Sequence, residues 1–281
     1  MRNFIADLLV LLTLTAILAR ANAAEIQALE LTGEWRPGAM VVGRTEPGTR
    51  VYFGPRELKV DESGRFVVGL DRDAGGSVSL RLQNGHDEQT YRYTVAKREY
   101  DVQRIEGVPQ ETVTPPKAVL ARIEKETAMV SQARASSAER GDFYRGFIKP
   151  LEGIITGVYG SQRVYNGVPK RPHFGLDIAG PIGAPVKAPA AGVVKLAHPD
   201  MYFSGGTLII DHGYGISTTF IHLSKVLVAE GTRVEQGQEV ALVGASGRAT
   251  GPHLDWRMNW YDVRLDPALV LKHFPLRRSL P

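Results

Sequence analysis

Eight residues near the C-terminal end, His253-Leu-Asp-Trp-Arg-Met-Asn-Trp260, alternate without a break between polar and apolar side chains. A helix would scatter such a pattern around its circumference, whereas a strand sends it to two faces. His253, Asp255, Arg257 and Asn259 share one face, expected to line a groove, and Leu254, Trp256, Met258 and Trp260 face a core. His253 and Asp255 stand about 6.6 Å apart along such a strand and point the same way, which suits two groups serving one site. The surroundings read the same way. Ile154–Tyr159, Ala184–Ala197, Thr207–Asp211, Ser217–Leu223 and Glu239–Val243 are Gly-punctuated β runs, with His212-Gly-Tyr-Gly215 as a hairpin turn. Little from Phe147 onward has helical period, so this half is expected to be nearly all β.

A second constraint is Arg171-Pro-His-Phe-Gly-Leu-Asp177, with an imidazole and a carboxylate four residues apart. Zinc takes ligands of both kinds at about 2.0–2.2 Å. A straight strand would hold the two Cα atoms about 13 Å apart. A helix is opposed by Gly175 and Gly180-Pro181. A bent strand, kinked at Gly175, is expected to bring His173 and Asp177 to one point. His222 ends the run Phe220-Ile-His-Leu-Ser224 and is a further candidate. Arg163, Tyr165, Asn166, Tyr202 and Phe203 are expected to line the groove or to pack on the surface. His212 reads as structural, and His86, His198 and His273 receive no role.

The first half differs in texture. Between Glu25 and Tyr100, short β-rich runs such as Arg50–Phe53, Arg65–Val68 and Ser77–Leu82 alternate with turn signals at Pro47-Gly48, Gly75-Gly76 and Asn84-Gly85. That spacing predicts a small immunoglobulin-like sandwich over 25–100. Residues 101–146 read as a linker with one helix, capped at Thr114 and running from Lys117 to about Ala135. The Gly-punctuated β part spans 147–274.

The 281-residue chain is 43% hydrophobic and 23% charged, which fits a core-forming soluble protein of two modest domains. Its net charge of +4 is mild, and no basic-aromatic patch points to nucleic acid. Without cysteine, neither a disulfide nor a lipid-anchored N-terminal Cys is available. Arg2, the apolar run Leu8–Leu18 and Ala21-Asn-Ala23 read as a signal peptide over 1–23, implying export to the periplasm or cell envelope. The apolar run is shorter than the roughly 20 residues of a bilayer span, so no stable span remains after processing. Asp7 and Arg20 depart from the signal pattern and leave a retained N-terminal anchor as the alternative.

Seven ordered pieces resemble the lysostaphin-type, or LytM-like, zinc metallopeptidases: Gly157-Val-Tyr-Gly-Ser-Gln-Arg163, His173-Phe-Gly-Leu-Asp177, Val186-Lys-Ala-Pro-Ala-Ala-Gly192, Ile210-Asp-His-Gly213, Ile221-His-Leu-Ser224, Val234-Glu-Gln-Gly-Gln238 and Thr250-Gly-Pro-His-Leu-Asp255. That resemblance covers Phe147 to Phe274. It implies a duplicated-hybrid-motif β fold and a peptidoglycan endopeptidase with one Zn²⁺ per chain. By position, His173 and Asp177 would bind the metal, and the third ligand would be the second His of an HxH motif. His222 and His253 would act as general base and oxyanion stabiliser. The implied partners are the peptide stems of peptidoglycan and other cell-wall hydrolases.

The chain departs from the family at the HxH motif, which reads His253-Leu254-Asp255. Asp is a legitimate zinc ligand with a shorter reach than imidazole. Two carboxylates would cancel the charge of Zn²⁺ and acidify water less, and they tilt the donor set toward harder ions such as Mn²⁺. The alternative to an enzyme is therefore a degenerate domain acting as a wall-binding or hydrolase-activating regulator. A biotinyl- or lipoyl-type carrier, echoed by Ala188–Gly192, is weaker, since no lysine sits at a matching hairpin tip.

Overall fold

The computed structural model describes residues 29–276, so the expected signal peptide lies outside them. Seven strands come first: β1 (Glu30–Thr32), β2 (Met40–Arg44), β3 (Arg50–Phe53), β4 (Arg56–Glu57), β5 (Arg65–Gly69), β6 (Ser77–Asn84) and β7 (Asp87–Thr94). They form a three-stranded sheet, β1-β2-β5, and a four-stranded sheet, β4-β3-β6-β7. Apolar residues from both sheets, Val41, Val51, Phe66, Val68, Leu80 and Leu82, are fully buried, the inward half of a sandwich pattern.

Three elements follow: β8 (Val102–Ile105), α1 (Gln110–Val113) and α2 (Leu120–Arg134). Thr114 does not cap the long helix. It ends α1, and α2 begins at Leu120 after a 3₁₀ turn over Lys117–Val119, with no side-chain cap. Pro115-Pro116 explains the difference. A proline holds the residue before it extended, so Thr114 and Pro115 cannot open a helix. Met129, Val130 and Ala133 of α2 pack on Leu196, Met201 and Ile209.

The second half supplies β9 (Ile155–Gly157), β10 (Gln162–Tyr165), β11 (Val168–Pro169), β12 (Leu176–Ala179), β13 (Pro185–Lys187), β14 (Gly192–Met201), β15 (Gly205–Gly213), β16 (Ile216–Leu223), β17 (Lys225–Val226), β18 (Arg233–Val234), β19 (Glu239–Leu242), β20 (His253–Trp260), β21 (Val263–Leu265) and α3 (Pro267–His273). The main sheet runs β18-β14-β15-β16-β20-β12-β9, with β21 also on β20. The expected alternation in β20 is present. Leu254, Trp256 and Met258 are 0% exposed. The opposite face is not an open groove, however, since Asp255 is 1% and Asn259 0% exposed.

The sandwich joins the sheet through shared apolar packing. Phe53 meets Trp260 edge-on at 6.3 Å between ring centres. Gly69 lies so close to Trp260 and Leu265 that a Cβ would come within 2.9 Å of both. Arg98 pairs with Asp266 at 2.6 Å, and Asp266 caps α3 by accepting from the Ala268 N–H at 2.8 Å.

The stretch before the sheet is held by charge. Asp142 accepts from Arg233 at 2.8 and 2.9 Å and from Arg140 at 2.8 Å. Burial raises the Asp142 carboxyl, but the two guanidiniums outweigh it and hold it below its ordinary value. A depressed folded pKa stabilises fully above the unfolded value near ~3.9 and is lost as pH falls through the folded value. Cooling this contact with Asp142→Asn removes that dependence. From about pH 4.5 to about pH 2.5 the unfolding midpoint of the wild type should drop by roughly 2 °C more than the variant's. Parallel pH profiles would show the contact to be irrelevant.

Candidate metal centre

Three strands and one approach loop converge on a single point. Asp177 on β12 faces Asp255 on β20 across a register in which the two residues are paired. Ile221 pairs Asp255 on the other side, which brings His222 to the same end of the sheet. His173 precedes β12, and the chain bends before Leu176 to bring its ring back over Asp177.

Glycines make the room. A Cβ on Gly175 would stand 2.2 Å from Asp255 Oδ1 and 2.9 Å from the Trp256 carbonyl. A Cβ on Gly157 would stand 2.2 Å from Asp177 Oδ2. Gly175 is thus needed for close approach, beyond the bend expected of it. Gly175→Ala should displace Asp255, lower metal affinity about ten-fold and lower stability by about 1–3 kcal/mol. Metal titration and thermal unfolding of the variant test this; wild-type values in both would refute the cradle.

The donor atoms are close. His173 Nε2 lies 2.9 Å from Asp177 Oδ1 and 3.4 Å from Asp255 Oδ2, and one atom from each residue falls within 4.8 Å of the others. All three residues are buried. Asp177 Oδ1 is buried and accepts no hydrogen bond of acceptable geometry, although it sits beside His173 Nε2. The expected ligands His173, Asp177 and Asp255 are therefore together.

Three histidines share one orientation device. Nδ1 of His173 meets the Val158 carbonyl at 3.1 Å, that of His222 the Ser246 carbonyl at 2.7 Å, and that of His253 the Gly251 carbonyl at 2.8 Å. A carbonyl only accepts, so each Nδ1 carries a proton. At His222 and His253 the Nε2 atom makes no hydrogen bond among the described residues, whereas His173 Nε2 faces both carboxylates; burial lowers the His173 pKa, but Asp255 and Asp177 outweigh it and raise it. His253 Nε2 lies 3.9 Å from Asp177 Oδ1, and the His222 and His253 rings are 4.9 Å apart. Burial lowers the His222 pKa to about 4, so it is neutral near pH 7. His222 also holds a left-handed backbone at φ 66°, a strain of the kind found at functional sites.

Two arginines enter that the motif did not announce as partners. Arg257 donates to both oxygens of Asp255, at 2.6 to 3.1 Å. Arg163 donates to Asp177 Oδ2 at 2.5 Å. Burial raises both carboxyls. At Asp255, Arg257 and His173 outweigh burial and hold it well below the carboxylate range. At Asp177, burial and Asp255 push up, and His173 and Arg163 overcome them. Two carboxylates and two guanidiniums leave the protein groups around the point without net charge. The expected cancellation of a dication by two aspartates is thus offset, and the Asp255–Arg257 pair is neutral, as a single imidazole would be. Arg257 was legible in principle, two residues from Asp255 on the same strand face.

The other expectations divide. Arg163 belongs to the centre, and its Nη1 donates to the Tyr165 hydroxyl at 2.9 Å. Asn166 turns away to Val108. Tyr202 donates to the Glu111 carbonyl and packs on Phe203. His212 is structural, buried at the end of β15 between the Ala191 carbonyl and the Thr218 hydroxyl.

The donor chemistry fits a divalent ion: one imidazole nitrogen and two carboxylate oxygens, one of them otherwise unsatisfied. A carboxylate has about four lone-pair sites, so Asp255 can serve both Arg257 and a metal. Fold and site define a metallopeptidase-type centre on an antiparallel sheet. The chain belongs to peptidase family M23, whose model matches residues 171–267. It is similar to the peptidoglycan DD-endopeptidases ShyA and ShyB of Vibrio cholerae. Identity is 41% over 113 residues and 42% over 112 residues, covering 39% of this chain and 25% of either relative. The chain thus spans a quarter of the length of those relatives. A Pseudomonas aeruginosa structure assigned to peptidase M23 is similar over 86% of this chain and 97% of its own, at 30% identity and a TM-score of 0.67.

Proposed function

We propose that this protein is an exported, metal-dependent endopeptidase that hydrolyses peptide cross-links of bacterial peptidoglycan. The observation that carries the reading is the convergence of His173, Asp177 and Asp255, with one ligand atom from each within 4.8 Å of the others and Asp177 Oδ1 lacking a hydrogen bond. Substrate class follows from the relatives named as peptidoglycan endopeptidases, and export from the leader pattern of residues 1–23.

His173, Asp177 and Asp255 would hold one zinc ion. When bound, the ion supplies Lewis acidity, which lowers the pKa of water and polarises the scissile carbonyl. The chain's own groups do the rest. His253, 3.9 Å from Asp177 Oδ1, accepts a proton at its free Nε2. Once protonated, that nitrogen donates to the leaving amine. His222, kept neutral by burial, offers a second Nε2 acceptor to the substrate and the reacting water. Support of the oxyanion by either ring waits on protonation of that ring, since both Nδ1 protons are already committed to carbonyls.

The bidentate grip of Arg257 on Asp255 favours a second reading, a regulator whose third position is closed as an ion pair. Metal analysis of the purified chain, with liquid chromatography of digested cell-wall sacculi, separates the two. The proposal expects stoichiometric zinc or manganese and conversion of cross-linked fragments into uncross-linked ones, abolished by chelation. Bound metal without any fragment release, or fragment release unaffected by chelation, would overturn it.

A further inference from the structure

A cavity of about 770 Å³ lies between the sandwich, α2 and the main sheet, within the size range of small-ligand sites. Its wall carries five guanidiniums, Arg56, Arg134, Arg171, Arg257 and Arg264, and the Lys59 ammonium. Arg257 pairs with Asp255 and Arg56 faces Asp262; among the described residues Arg134, Arg171 and Arg264 lie within 4 Å of no carboxylate. Arg134 Nε is sealed from solvent and donates to nothing, while its Nη2 reaches only the Thr219 hydroxyl at 3.1 Å. Arg264 donates to Asn259 Oδ1 at 3.3 Å and lies over the Phe174 ring at 5.5 Å. Arg171 is exposed at the edge of this group.

Such an arrangement opposes itself. Burial, then the neighbouring Arg264 and Arg257, hold Arg134 well below its ordinary range. Burial, then Arg257, lower Arg264 to about 10. Like charges in a partly desolvated cavity repel strongly, and a buried guanidinium without a counter-charge is costly. An anion entering the cavity relieves both costs. The guanidinium fork matches a carboxylate in two-point contact. The acids at the cavity do not fill this role: Glu126 is paired with Arg122 at 2.6 Å, Asp262 faces Arg56 at 3.9 Å, and the exposed Glu57 forms no ion pair with Arg134, Arg171 or Arg264.

The cavity adjoins the metal centre through a shared residue. Arg257 lines it and holds Asp255, and Thr219, the cross-strand neighbour of Arg257, lines it beside Arg134. We infer that this arginine-lined cavity is a substrate subsite that takes a free carboxylate of the peptide whose bond lies at the metal centre. This rests on the proposed peptidase reading, and it selects an acidic peptide over a neutral one.

Calorimetry on the full chain tests it with a short peptide bearing two free carboxylates, its fully amidated twin, and inorganic phosphate. The acid form should bind about ten-fold tighter than the amide, as expected for a charge-assisted hydrogen-bonded contact. Arg134→Gln should abolish that preference, and Arg134→Lys should keep part of it. Arg171→Gln, at an exposed position where folding is not at stake, should reduce the preference several-fold. Equal binding of acid and amide, or a preference unchanged in both glutamine variants, would overturn the inference. Phosphate displacing the peptide at lower concentration than a dicarboxylate would also overturn it and assign the cavity to a phosphorylated ligand. Sacculus digestion is measured separately. Carboxylate-dependent binding without digestion by the metal-loaded chain would sink the peptidase reading alone. Digestion with no carboxylate preference would sink the subsite alone.

Discussion

His173→Ala is expected to empty the metal centre. The side chain is the one nitrogen donor of the set, and it stands 2.9 and 3.4 Å from the two carboxylates. Losing a group that merely orients a ligand costs about 10–100-fold in affinity. Losing a ligand should cost more, on the order of a thousand-fold. Elemental analysis of the dialysed variant should then fall from roughly one ion per chain to almost none, and digestion of sacculi should stop. The fold should persist, because the sheet is held by Leu254, Trp256 and Met258 on its far side. Retention of a full equivalent of metal by a folded His173→Ala protein would remove His173 from the ligand set.

The second large effect belongs to Arg257. Its guanidinium compensates a carboxylate that is 1% exposed. Removing one partner of a buried pair leaves an unpaired charge and typically costs about 3–5 kcal/mol. The Arg257 side chain is 25% exposed, so the low end, about 3 kcal/mol, is expected for Arg257→Gln without metal. A dication supplies the missing charge, so metal affinity should rise by about ten-fold, which restores about 1.4 kcal/mol, roughly half of the loss. Thermal unfolding with and without zinc, plus competition against a chromophoric chelator, reads both effects. A metal-free variant as stable as the wild type would show that the pair is an exposed contact worth under about 1 kcal/mol. The same argument makes Asp255→His, taken alone, a damaging change, since it would leave Arg257 beside an imidazole and a cation.

How much of this was visible beforehand depends on the range of the interaction. The alternation in His253–Trp260 is local, so both faces of β20 could be read from the residues alone. The meeting of His173, Asp177 and Asp255 was legible only through ordered motifs, because each comes from a different part of the chain. The charge balance was hidden. Arg163 and Arg257 were both visible as groove-side residues, but which oxygen each would grip depends on rotamers and on burial. The closure of the polar face was hidden too. Asn259 reads as a groove residue and is fully buried, with its amide held by the Tyr261 carbonyl and the Arg264 guanidinium of the neighbouring β21. Thr114 misled through a competing local rule: the two prolines after it permit a cap by composition and forbid it by backbone geometry.

The claim on which the rest depends is that three side chains, one of them Asp255, meet a single cation. X-ray absorption at the metal edge of the full chain, loaded with one equivalent of zinc, tests it directly. The account predicts a shell of nitrogen and oxygen donors at about 2.0–2.2 Å with the outer-shell scattering of one imidazole. Scattering from two or three imidazoles would mean that His253 or His222 takes the position assigned to Asp255. That result would contradict the account, as would a spectrum of fully hydrated zinc.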